Sequence, residues 1–167
     1  MYGRIHRFAR SVTVDATPDA LFDYLDDPGR LGAHMSERSL MMPGGRMHYR
    51  LDAAAGKAVG SLIRMEGRML GMSLRVEEVI TERHPPSRKV WETVGPQRMI
   101  VIRDYRLGFE IHPVAGVSAL QVFIDYTLPE TPAGYLLGWL FAPLYARWCV
   151  SRIAEGARRA FPARRGP

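Results

Sequence analysis

Between Thr131 and Phe161 the chain carries its one long stretch of helical character, and the rest of the sequence has to fold around it. Twelve uncharged residues, Tyr135 to Ala146, run into Arg147-Trp148-Cys149-Val150-Ser151-Arg152-Ile153 and a basic end. Nearly everything from Met47 to Leu128 reads instead as strand. A sheet buries its apolar face against a second layer, so a single helix must cover whatever sheet these strands build. Helix and sheet together are expected to enclose an apolar pocket.

Pro143 lies inside the helical stretch. A proline ring removes one helical hydrogen bond and biases the preceding residue away from helical angles, which predicts a kink or break at Ala142-Pro143. On that reading residues 134–142 form a short approach segment and the main helix runs from 143 to 161. Val150, Ile153, Ala157 and Phe161 would share its buried face, with Arg147, Ser151, Glu155 and Arg158 opposite. A hinge at the proline would give a ligand its way in. Residues 135–150 are interrupted by Gly138, Pro143 and Arg147 and fall short of the roughly 20 residues a membrane span needs.

At 167 residues the sequence reads as one domain over 1–161 with a disordered basic tail over 162–167. Such a length buries roughly 70% of the surface its unfolded form exposes. The single Cys149 has no partner for a disulfide within the chain and falls in an apolar pattern, where a thiol behaves as a small hydrophobe. Residues 1–11 alternate basic and apolar without the continuous apolar core of a secretory signal, so a cytoplasmic location is expected. Of the net charge of +6, five units arise from Arg147 onward. The excess belongs to the end of the chain, where cations complement a helix C-terminus. Nucleic-acid binding is therefore not expected, while transient contact with a membrane surface stays open. The oligomeric state is not legible.

In chain order, residues 5–14 have the partial alternation of a strand. Thr17-Pro18-Asp19 then supplies an N-cap, a first-turn proline and a first-turn acid, and Leu21, Phe22 and Leu25 form one apolar face. Asp27-Pro28-Gly29 is expected to end this helix, and a second short one to follow through Arg30, Leu31 and His34. Strands are predicted near 46–53, 58–70, 72–83, 88–95, 98–112 and 117–128. In the last, Leu120, Val122, Ile124, Tyr126 and Leu128 share one face against Gln121, Asp125 and Thr127 on the other. The run Met99 to Ile102 is apolar throughout, so a bulge is expected near Arg103. His84-Pro85-Pro86 and Val94-Gly95-Pro96 mark tight connections and so an antiparallel meander.

The order strand, two short helices, antiparallel strands, long C-terminal helix, together with two segments, resembles a known superfamily. The segments are Val12 to Pro28, with its Ala-Thr-Pro-Asp-Ala-Leu-Phe core, and Val76 to Trp91, with its Pro85-Pro86 junction. They are similar to the START-like, or SRPBCC, superfamily, which includes polyketide cyclases, plant pathogenesis-related and allergen proteins and lipid-transfer domains. The first segment is close to the opening of bacterial members. The resemblance covers nearly the whole chain. It implies an α+β helix-grip fold, in which a strongly curved antiparallel sheet wraps the C-terminal helix around a cavity. Met65, Trp91, Tyr105, Phe109, Leu136, Trp139 and Leu140 are the candidate lining, with His34 at the mouth. Members of this superfamily share the cavity and no common catalytic motif.

Catalytic signatures are sparse. Gly56-Lys57 lacks the remainder of a phosphate-binding loop, the five His show no zinc-type spacing, and no Gly-x-Ser-x-Gly elbow occurs. Neither metal nor cofactor is implied. Arg64, Glu66 and Glu92 either face the cavity or form an exposed charge ladder on the outer face. The leading expectation is therefore binding of a small hydrophobic molecule, a lipid or an aromatic or polyketide-like metabolite. A cyclase or aromatase using cavity acid/base groups is the alternative, and an interaction domain built on the apolar 135–144 stretch is the third. What separates the first two is an ionisable group inside the cavity.

Overall fold

The computed structural model describes residues 4–31, 46–69 and 72–163. Strand β1 (His6–Val14) leads into helix α1 (Pro18–Leu25). Strands β2 (Arg46–Leu51), β3 (Leu62–Met69), β4 (Met72–His84), β5 (Arg88–Thr93), β6 (Tyr105–Val114) and β7 (Val117–Tyr126) follow, and helix α2 (Pro132–Ala160) closes the chain. Among the described residues the seven strands form one antiparallel sheet in the order β1-β7-β6-β5-β4-β3-β2. Strands β2 to β7 are thus a meander, and β1 joins it at the far edge by pairing with β7 from His6↔Tyr126 to Val14↔Ser118. The sheet curves around α2 and defines the helix-grip architecture.

Local chemistry sets the helix starts. The Thr17 hydroxyl accepts the Ala20 N–H at 3.3 Å, with Pro18 in the first turn. Asp27 does the same for the turn at 28–31, accepting the Gly29 N–H at 2.9 Å. Asp27-Pro28 therefore opens the second helical segment and does not end the first, which stops at Leu25. His34, expected on that second helix, lies outside the described residues.

Helix α2 corrects the expected break. It runs unbroken for 29 residues with Pro143 inside it. Pro143 and Trp139 both lie on the exposed side, so the Trp139 carbonyl that loses its helical partner faces water and can be satisfied there. The buried face is made of small and branched residues, Ala142, Ala146, Val150, Ile153, Ala154 and Ala157, which let the helix approach the sheet closely. Phe161, expected on that face, is half-buried against Tyr24.

Two sheet readings also change. Strand β6 starts only at Tyr105; before it, Arg98 bridges to Arg75, the Arg103 N–H donates to the Thr127 carbonyl, and the Thr127 N–H donates to the Asp104 carbonyl. The Met99 to Ile102 run is irregular chain packed against the core, which is why it is apolar throughout. The register shift falls in β4 instead, between Ile80 and Glu82. On β7 the predicted inner face is buried, but Thr127 is buried as well, its hydroxyl accepting the Asp104 N–H. Outward-facing Phe123 is covered by the guanidinium groups of Arg7 and Arg88, at 4.8 and 5.6 Å.

Gly108 marks the closest approach of β6 to its surroundings. A Cβ there would lie 2.8 Å from the Lys89 carbonyl oxygen and 2.8 Å from the Phe123 ring. The backbone oxygen cannot give way without parting β5 from β6, so Gly108→Ala is expected to destabilise by about 1–3 kcal/mol. Denaturant titration measures this; a change under about 0.5 kcal/mol, the range of an ordinary surface substitution, would refute the close packing.

Candidate functional site

Between the inner face of the sheet and α2 lies a cavity of about 70 Å³, partly open to solvent. Pro28 and Leu31 stand on one side and Tyr145, Cys149 and Ile153 of α2 on another. Tyr49, Ile63, Met65, Glu78, Ile80, Lys89, Trp91, Tyr105, Leu107 and Ile124 come from β2 to β7. A volume of this size holds a few waters, and it is about half that of a cavity known to admit benzene. A ring-sized occupant therefore needs the walls to yield.

Among the residues that line the cavity, Glu78 supplies the one carboxyl. On β4 the residues Val76, Glu78 and Ile80 share the inward face, and the carboxyl is carried inside with them, leaving the residue 6% exposed. The Tyr105 hydroxyl and the Trp91 indole N–H both donate to it. Burial pushes its pKa up to about 7, against the opposing pull of those two donors and the charge of Lys89. Burial outweighs them because an ionised carboxylate loses most of its hydration here. Near neutral pH Glu78 is thus poised between its protonated and ionised forms.

The groups around it are kept neutral. Burial, then the nearby Glu78 charge, raises Tyr105 well above the ordinary phenol range. Burial, with Glu78 and Cys149, lifts Tyr49 to about 12. The Cys149 thiol is pushed up to about 12 by burial and by Glu78, against a hydrogen bond from Tyr145. Cys149 is therefore no nucleophile at neutral pH. Lys89 spends its charge elsewhere: its ammonium donates to the Asp26 carboxylate at 2.7 Å and to the Asp26 carbonyl at 3.0 Å.

Of the residues singled out from sequence, Met65, Trp91 and Tyr105 line the cavity. Phe109 does not; it is fully buried one layer away, its ring edge-on to Phe22 and Trp91. Leu136, Trp139 and Leu140 are 65%, 62% and 54% exposed and lie on the outside of α2. Arg64 and Glu66 sit on the outer face of β3, paired with Glu77 at 3.0 Å and Arg75 at 3.8 Å. Glu92 is half-buried on the face of β5 opposite Trp91. Glu78 was not among the sequence candidates. The signal for it was present: a lone carboxylate in the period-two series Leu74, Val76, Glu78, Ile80.

A curved antiparallel sheet gripping one long helix, with a cavity between them, is the helix-grip class of the START-like superfamily. The chain belongs within it to the polyketide cyclase / dehydrase and lipid transport family, whose model matches residues 6–160. Truncated norcoclaurine synthase from Thalictrum flavum is similar in structure, with a TM-score of 0.66 and 14% identity over 94% of this chain and 93% of that one. The di-domain ARO/CYC BexL from the BE-7585A biosynthetic pathway gives a TM-score of 0.63 and 19% identity, over 96% of this chain and 51% of that one. Ara h 8.0201 gives 0.59 and 12% over 92% and 98%. These likenesses speak to fold. No curated protein matches the chain in sequence.

Proposed function

We propose that this chain binds a small, largely apolar molecule carrying one carbonyl or phenol oxygen, a lipid fragment or an aromatic or polyketide-like metabolite, with that oxygen against Glu78. The observation that carries the reading is a buried carboxyl, with a pKa near neutrality, set among apolar walls. Protonated, Glu78 donates to a ligand oxygen. Ionised, it accepts from a phenol. Apolar burial along Met65, Trp91 and Leu107 supplies affinity at roughly 25 cal/mol per Å².

The same carboxyl favours a second reading, an enzyme of cyclase or aromatase type. A general base poised near the working pH removes a proton from carbon beside a carbonyl most effectively; the protonated carboxyl then gives that proton to the alkoxide formed on ring closure, or to the hydroxyl that leaves as water in a dehydration. Tyr105 and Trp91 would hold the carboxyl in place while the pocket shape sets which atoms meet.

Mass spectrometry of the natively purified protein, joined to displacement of a hydrophobic fluorescent probe by fatty acids and aromatic polyketides, tests both. One saturable site is expected, with phenol affinity that depends on pH around 7 in the native protein and not in Glu78→Gln. Absence of saturable binding to the folded protein would sink the first reading. Conversion of the bound molecule by the native chain and not by Glu78→Gln would select the second.

A further inference from the structure

Over its first three turns α2 is built inside out. Its small residues Gly138 and Ala142 face the body of the protein, and a Cβ on Gly138 would lie 2.8 Å from the Val101 carbonyl oxygen. Seven large apolar side chains between Tyr135 and Leu144 are instead 44–65% exposed. An exposed apolar surface of this kind marks an interaction site. A helix that needed only to cover the sheet would bury the leucines and expose the alanines.

Charge says what this face meets. No Asp or Glu occurs from Thr131 to Ala154. At 3.6 residues per turn Leu136, Leu140, Arg147 and Arg158 fall within about 40° of one another around the axis. One outward face is thus apolar in its first half and cationic in its second. Arg147 and Arg158 are both exposed; Arg158 lies 3.9 Å from the Glu155 carboxylate, and Arg147 has no carboxylate partner among the described residues.

We propose that the outer face of α2 docks on the surface of a bilayer containing anionic lipid. Leu136, Trp139 and Leu140 enter the boundary between headgroups and acyl chains, as the apolar side of an interfacial helix does. The indole of Trp139 suits that depth, since its ring is apolar and its N–H polar. Arg147 and Arg158 meet lipid phosphates. Among the described residues no helix is long and apolar enough to cross a membrane, so contact is at the surface. The proposal needs no occupant in the cavity and stands or falls apart from the ligand reading.

Co-sedimentation of the full chain with vesicles of phosphatidylcholine, alone or mixed with phosphatidylglycerol, tests it. Binding to the mixed vesicles is expected, weakened by salt and by removal of the anionic lipid. Leu136→Glu with Leu140→Glu should reduce it at least about tenfold while the denaturation midpoint stays near that of the native chain, because both positions are exposed. Should that variant fail to fold, Arg147→Glu with Arg158→Glu replaces it, with a loss of about tenfold expected from two reversed charges. No binding to the mixed vesicles would overturn the proposal and leave the face to a protein partner. Binding that survives both double variants, or that vanishes on removal of 162–167 alone, would overturn it too. So would a dimer in light scattering that Leu136→Glu with Leu140→Glu converts to monomer, since a second copy would then cover the face.

Discussion

Replacing Asp26 by Ala is expected to destabilise the protein by about 3–5 kcal/mol, because it strands a buried cation. Asp26 is 4% exposed and Lys89 1%, and the carboxylate accepts from Lys89 and bidentately from Arg83, at 3.1 and 2.8 Å. The pair ties the end of α1 to β5. Burial opposes ionisation of Asp26, yet the hydrogen bonds and charges of Arg83 and Lys89 win and hold its pKa below the ordinary carboxylate range. A depressed carboxyl contributes stability above its unfolded pKa and loses it as pH falls through the folded one, so this contribution should fade only in acid. Denaturant titration at pH 7 measures the loss. A cost below about 1 kcal/mol would mean that Lys89 sheds its proton readily once alone, which the lowering of its pKa by burial makes the natural escape. Replacing both partners by apolar residues of similar volume should recover much of the loss.

Glu78→Gln should act in the opposite direction. A carboxyl raised from 4.5 to about 7 on folding gives its full stability below pH 4.5 and loses it as pH rises through 7. By linkage the native chain should therefore surrender up to about 3 kcal/mol between pH 4 and pH 8 at this one group. The amide cannot ionise, so Glu78→Gln should match the native chain at pH 4 and exceed it by up to that amount at pH 8. Equal stability of the two proteins at both pH values would show that Glu78 ionises freely in the fold, and the case for a poised acid/base group would go with it. A stabilising substitution that removes ligand response is the signature of a site held at a cost in stability.

Much of the fold was legible because its signals are local. Thr17-Pro18-Asp19 starts a helix by capping chemistry that needs no tertiary partner. Leu120, Val122, Ile124 and Tyr126 alternate with their neighbours, and the pleat alone puts them on one face. The cavity wall was legible in part, through Met65, Trp91 and Tyr105. Leu136, Trp139 and Leu140 were expected in the cavity lining and lie outside it. Gly138 shows why that failed: the side of the helix that meets Val101 has no room for anything larger. The break at Pro143 was misread for a related reason, since a lost hydrogen bond is cheap on the face turned to water. For Arg64 and Glu66 the exposed-ladder alternative holds: charges of opposite sign on a solvated strand face pair across to β4 and do nothing for the cavity.

The sequence by itself determined the kinds of element, their order, the two faces of most strands and the superfamily. These follow from periodicity and from capping and turn chemistry, which act over a few residues. Only the tertiary structure decided that Glu78 is buried and bonded to Tyr105, 27 residues further along, and that the large side chains of α2 point outward. Desolvation and charge pairing belong to the space between elements, and that space exists only once β4, β5, β6 and α2 have closed around it.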